Sequence, residues 1–218
     1  MSDIFQEVDE EVRRDKAAEF WKKYQNLIIG AAVLVVLATA GYRFYEDRLL
    51  AAEQAAGTAF QQALALDRDG KGAEAEAAMA KLAADAPRGY RTLARLAEAA
   101  ILGKRDPKGA ISAYGALAAD ASMGPLFQDA ARLRAALLRL DAGEVEAAKP
   151  AFEALAENSA YRHTARLALG VVALNAGDYE QAGKWLDLVV ADAEAPDAEK
   201  RSAESLLGLV AANRPAAK

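Results

Sequence analysis

The chain has 218 residues, which is enough for one domain of ordinary size and a short additional segment. It contains no cysteine, and this excludes disulfides, cysteine metal sites and cysteine nucleophiles. Its formal net charge of -5 argues against a nucleic-acid-binding protein, because such proteins usually present a basic surface.

An uncharged stretch, residues 24–42, follows a polar leader, residues 1–23. As a helix rising about 1.5 Å per residue it would span roughly 28 Å, close to the ~30 Å hydrocarbon thickness of a bilayer. Aromatic side chains, which favour the membrane interface, flank it on both sides: Trp21, Tyr24, Tyr42, Phe44 and Tyr45. We therefore predict one transmembrane anchor, residues 24–45.

The charges beside this stretch predict its orientation. The leader carries five basic residues, whereas residues 43–60 carry two, Arg43 and Arg48. Because cytoplasmic flanks hold the excess of Lys and Arg, the leader is predicted to lie in the cytoplasm and residues 46–218 across the membrane. Two alternatives remain open, namely a signal peptide cleaved after Ala40 and a soluble helix buried in a core.

The remainder is predicted to be helical, because it is rich in Ala and Leu and lacks alternating β-branched residues. Asp106 is a predicted N-cap with Pro107 in the first turn, and Gly143 and Gly177 are predicted to end helices in a left-handed conformation. The predicted helices are 57–68, 73–86, 88–102, 107–121, 125–141, 144–158, 160–175, 178–194 and 197–212.

A repeat is visible in every second helix. Alanines recur near a 34-residue period, large residues follow four positions later, and Leu or Val follows three positions after that. The three sets are Ala75, Ala110, Ala148, Ala182; Met79, Tyr114, Phe152, Leu186; and Leu82, Leu117, Leu155, Val189. This spacing is typical of tetratricopeptide repeats, in which Gly170 would be the small residue of a first helix.

The predicted fold is therefore all-α. A transmembrane helix precedes a tetratricopeptide-like α-solenoid of about four degenerate helix pairs, and helix 197–212 caps the last pair. A longer step between the second and third units predicts an insertion at residues 122–125. An irregular all-α bundle is the alternative.

No catalytic motif is present. The sequence lacks a phosphate-binding loop, a dinucleotide fingerprint, a nucleophile elbow and the HExxH pattern, and its single histidine is His163. We predict no enzyme activity, no cofactor and no metal.

Arginines are distributed unevenly between the two helices of each unit. The first helices of units two to four carry eight arginines against three acids, whereas the second helices carry no arginine and thirteen acids. A groove lined by first helices would bind extended polypeptide or an acidic segment, unless these arginines pair with neighbouring acids. The candidate groove residues are Arg91, Arg95, Arg132, Arg162 and Arg166.

Four segments make the chain resemble the YfgM-like ancillary subunits of the bacterial Sec translocon. They are Glu10–Asp15, Gly41–Tyr45, Ala59–Ala63 and Gly89–Ala97. The resemblance implies a single-pass inner-membrane protein whose tetratricopeptide-like domain, residues 46–218, is periplasmic. The implied partners are Sec translocon subunits, a membrane-anchored periplasmic chaperone of the prolyl-isomerase type and exported polypeptides, and the family supplies no catalytic residues.

The predicted function is accordingly a non-enzymatic, membrane-anchored scaffold for protein export. An adaptor for cell-envelope assembly or cell division is the alternative, because the fold alone does not choose between them.

Overall fold

The structure, a computed structural model, describes residues 3–213, without the side chains of residues 3–12, 15, 17 and 28. Helices are the only regular elements in this range, which confirms the all-α prediction. The α-helices are α1 Asp3–Arg68, α2 Gly72–Asp85, α3 Arg88–Gly103, α4 Pro107–Ala119, α5 Pro125–Asp141, α6 Val145–Asn158, α7 Arg162–Asn175, α8 Tyr179–Val190 and α9 Asp197–Asn213.

Two compact units divide the chain, Met1–Gln54 and Ala55–Lys218. In the first unit, α1 contains the uncharged stretch, and its large apolar side chains are exposed: Leu27 by 70%, Leu34 by 68% and Leu37 by 67%. By length and composition this is the one helix in the described range that can cross a membrane, and none of its most apolar stretch is buried. It is therefore not the core helix of the described residues.

The second unit contains four helix pairs, formed by the end of α1 with α2, α3 with α4, α5 with α6, and α7 with α8. The four repeat alanines have no exposed surface. The large residues four positions later are at most 3% exposed, and those of the third set at most 9%. The register of the repeat is thus confirmed, since one stripe of each second helix is buried.

Four hydrophobic clusters form the core of this unit. Each is centred on one second helix and is completed by the helices on either side of it. The cluster around Phe152, for example, contains Leu133 of α5 and Leu169 of α7. No pair of helices buries its apolar stripe alone, so stability depends on stacking neighbours, with α9 closing the last cluster through Ala203 and Val210.

Glycines end three of the four first helices. Gly70, Gly143 and Gly177 have φ of 79°, 78° and 76°, a left-handed conformation that glycine adopts without steric cost, as predicted for Gly143 and Gly177. In the second helix pair no such glycine follows α3, and the Asp106 side chain caps α4 by accepting the Gly109 N–H at 2.9 Å. The predicted insertion contains a short 3-10 helix, Ala121–Met123, followed by Gly124.

Two second helices end earlier than predicted. Helix α4 stops at Ala119 rather than residue 121, and α8 at Val190 rather than 194. An aspartate lies one residue after the end of α4 and two residues after the end of α8. Its carboxylate accepts a backbone N–H two residues on: Asp120 from Ser122 and Asp192 from Glu194, each at 2.9 Å. These side-chain turns compete with helical hydrogen bonding, which periodicity does not report.

Helix α7 begins at Arg162, two residues later than the predicted start at residue 160. The Ser159 hydroxyl accepts the Tyr161 N–H at 3.2 Å, so a turn precedes the helix.

Candidate partner surfaces

An Ala-Arg-Leu triplet occurs at the same place in three first helices, beginning at Ala94, Ala131 and Ala165. All three alanines have no exposed surface. The arginine that follows each of them therefore starts beside the packed side of its helix. Sequence reasoning missed this triplet, although its spacing follows the same period as the second helices.

Arg95 joins α3 to the loop after α4. Its Nη1 donates to Asp120 Oδ2 at 2.6 Å and lies 3.5 Å from Met123 Sδ. The Ser122 hydrogen bonds and, next, the Arg95 hydrogen bond lower the pKa of Asp120 to about 2. The carboxylate that forms the loop turn is thus the one that holds the arginine.

Arg166 holds the equivalent position in the fourth helix pair, and its side chain is 14% exposed. Its guanidinium donates to the carbonyl oxygens of Ala156 at 3.0 Å and Leu188 at 3.3 Å, and to Asp192 Oδ2 at 3.3 Å. It therefore connects the end of α6, the end of α8 and the following loop. A guanidinium is suited to this role because its donors form a rigid planar fork.

Asp192 is the centre of a larger cluster. Arg162 Nε lies 3.1 Å from its Oδ2, and the Arg162 guanidinium also donates to Glu194. His163 Nε2 lies 2.8 Å from the same Oδ2. Hydrogen bonds from His163, the Glu194 N–H and Arg162, in that order, hold the pKa of Asp192 well below its ordinary value.

In the third helix pair, an arginine and the loop after the second helix also share one carboxylate, but different residues supply it. Ser159 occupies the loop, and the carboxylate comes from Asp129 of α5 itself. Asp129 accepts from Arg132 at 2.5 Å and from the Ser159 hydroxyl at 2.8 Å.

Four of the five candidate groove arginines, Arg95, Arg132, Arg162 and Arg166, are therefore in ion pairs. The fifth, Arg91, is exposed and forms no ion pair with any residue that the structure describes. These four side chains pair with acidic residues of the same domain, so the free positive charge of the first helices is smaller than their composition indicates.

His163 is 5% exposed and contacts Asp192 with its ring. Within the described residues, no three His, Asp or Glu side chains are placed to hold a metal ion. The histidine belongs to the loop cluster of the fourth unit.

A cleft of about 380 Å³ opens between α6 and α8, over the end of α7. Leu169, Val172 and Ala173 of α7 form its floor, and Trp185 of α8 forms one apolar wall. The rim carries charged and polar side chains, which are Glu146, Lys149, Glu153, Asp178 and Gln181. Its walls lie on the second helices α6 and α8, a surface that the arginine pattern did not indicate.

Two of the segments that carry the family resemblance meet in the structure. The rings of Phe60 in α1 and Tyr90 in α3 have centroids 6.2 Å apart. A Cβ at Gly57 would lie 2.7 Å from the Tyr90 hydroxyl oxygen, so glycine allows this close approach. These residues hold the first repeat to the second.

The profile of a tetratricopeptide repeat-like domain family matches residues 18–154. The chain belongs to this tetratricopeptide repeat-like family. Domains of the family are typically non-catalytic scaffolds that bind proteins. The match includes the apolar stretch, the first two helix pairs and the third pair as far as residue 154 in α6, while α7, α8 and α9 continue the same packing beyond it. No curated protein and no solved structure gives a significant match.

Proposed function

We propose that this tetratricopeptide repeat-like protein is a non-enzymatic scaffold anchored in the bacterial inner membrane. Its N-terminus lies in the cytoplasm and its repeat domain in the periplasm. The observation that carries this proposal is an exposed, uncharged helical stretch in the same chain as a repeat domain that buries its own apolar stripes. The exposed stretch needs an apolar surrounding, and lipid provides one.

The proposed partners are Sec translocon subunits, a membrane-anchored periplasmic chaperone of the prolyl-isomerase type and exported polypeptides. Support comes from the four segments of sequence resemblance and from the protein-binding character of the repeat family. A tether would also help, because it raises the effective concentration of the repeat surface beside emerging chains.

Within the groove we propose Arg91 as the exposed cation that contacts a partner. The paired arginines, Arg95, Arg132, Arg162 and Arg166, would keep the first helices in place and add partial charge at the edge of the groove.

The proposal is tested by photo-cross-linking in intact cells from position 91, with position 81 on α2 as an exposed control. We expect translocon subunits, the periplasmic chaperone or exported chains to be captured from position 91 and not from position 81. Capture of cell-wall synthesis or outer-membrane assembly proteins alone would replace the export role with the envelope-adaptor role.

A further inference from the structure

Trp185 is exceptional within the repeat. It lies three residues after the repeat alanine Ala182, and the other three units have alanine at the same register: Ala78, Ala113 and Ala151. The large ring packs partly against the Phe152 cluster of the preceding unit. The rest of it faces the cleft between α6 and α8.

The cleft is large enough for one or two side chains. Its volume of about 380 Å³ is near the lower end for small-ligand sites, which are usually about 300–1,000 Å³. Its floor is apolar, since Leu169 is buried and Val172 and Ala173 lie beside it. An apolar side chain entering here would contact the α7 floor and the Trp185 ring.

The rim is negatively charged. Glu146 and Glu153 of α6 are exposed and form no ion pair within the described range, and Asp178 uses its carboxylate to cap α8 through the Gln181 N–H. Lys149 is the single basic residue among those that line the cleft. Three carboxylates against one ammonium create a local field that favours a cationic ligand.

We propose that this cleft binds a polypeptide segment in which one large apolar side chain is flanked by Lys or Arg. The apolar side chain packs on Trp185 and the α7 floor, and the basic residues lie beside Glu146, Glu153 and Asp178. This proposal rests on the proposed scaffold function. The cleft would be a second binding surface, with walls on α6 and α8. Its basic partner would have the opposite charge to the partner that Arg91 would attract.

The test uses full-length protein in detergent micelles and three labelled peptides. The first is Ser-Lys-Lys-Ala-Leu-Ala-Lys-Lys-Ser, the second has Glu for each Lys, and the third has Ser for Leu. Fluorescence anisotropy should show binding of the first peptide alone. Its affinity should fall about tenfold in the double variant Glu146→Lys/Glu153→Lys, because two favourable charge contacts become repulsive.

Asp187→Lys is the matched control, since Asp187 has the same register on α8 as Glu153 has on α6 but does not line the cleft. Positions 146, 153 and 187 are all exposed and helical, so both variants should fold with Trp185 in place. Equal binding of the three peptides, or equal loss in the control, would overturn the proposal. So would self-association of the chain that disappears in the double variant, since the occupant would then be a second copy.

A cross-linker at position 181, compared with position 91 in the same cells, separates the two proposals. Capture of export proteins from 91 with nothing from 181 would reject the cleft and keep the scaffold function. Capture of a basic-apolar segment from 181, with no export protein from either position, would keep the cleft and reject the export role.

Discussion

Gly170 lies where α7 packs closely against α8, and its lack of a side chain allows this close approach. A Cβ at this position in α7 would lie 2.7 Å from Leu186 Cδ2 and 2.8 Å from its Cγ. Leu186 has no exposed surface, so it cannot move away into solvent. The sequence predicted a small residue here from the repeat spacing, and the structure supplies the contact that requires it.

We expect Gly170→Ala to lower the free energy of unfolding. Overpacking costs about 1–3 kcal/mol and the better helix propensity of alanine returns about 1 kcal/mol, so the net loss is about 1 kcal/mol. Gly115→Ala in α4 is the control, since a Cβ there meets nothing within 4 Å and should stabilise the helix by about 0.5–1 kcal/mol. Urea unfolding of the full chain in micelles measures both, and two equal gains would contradict the packing argument.

At the scale of elements, first helices are tied to loops by charged hydrogen bonds as well as by apolar contact. Asp120 directly follows α4, and Asp192 lies two residues after the end of α8. Each accepts a hydrogen bond from an arginine of a first helix. The two aspartates lie 25 and 26 residues after Arg95 and Arg166. The loops after α4 and α8 are thus tied to first helices by ion pairs, in addition to the core clusters.

This arrangement predicts acid sensitivity. The pKa of Asp120 falls from an ordinary 3.8 to about 2 on folding, so its stabilising effect is complete above about pH 4 and is lost as the pH falls toward 2. Asp120→Asn keeps an oxygen for the Ser122 N–H but removes the charge.

The variant should be less stable than the parent at pH 7, and its stability should change less between pH 4 and pH 2. Thermal melts across this range, monitored by circular dichroism, check both statements. Asp85→Asn is the control, because Asp85 is exposed and makes no ion pair in the described part of the chain. Parallel pH profiles of the parent and the Asp120 variant would contradict the lowering of the Asp120 pKa on folding.

At the scale of the whole molecule, the two units need different surroundings. The exposed apolar side chains of the first unit form a continuous surface, including Val33, Val35 and Val36, whereas the second unit exposes large apolar residues singly. A membrane satisfies the first and water the second. The chain is accordingly proposed to act where the two phases meet.

We expect the full-length protein to stay in the membrane fraction after alkaline washing, with its original N-terminus intact. Val35→Arg/Leu37→Arg should move it to the soluble fraction, since each arginine at a helix centre costs about 2.5–3.5 kcal/mol on insertion. Leu209→Arg, an exposed position on α9, should leave it in the membrane. A mature chain that begins at Gly41 would instead identify residues 1–40 as a signal peptide.

The sequence by itself determined the helices, the register of the repeat and the apolar stretch. These follow from local rules, because a helix buries one stripe at a period of 3.6 residues and a left-handed turn selects glycine. Tertiary structure decided which charges are free. Arg95 and Arg166 are paired because their helices face loops far along the chain, and the cleft beside Trp185 exists because three helices converge there. Periodicity reports which face is buried, whereas the partner of a charge depends on what the fold places opposite it.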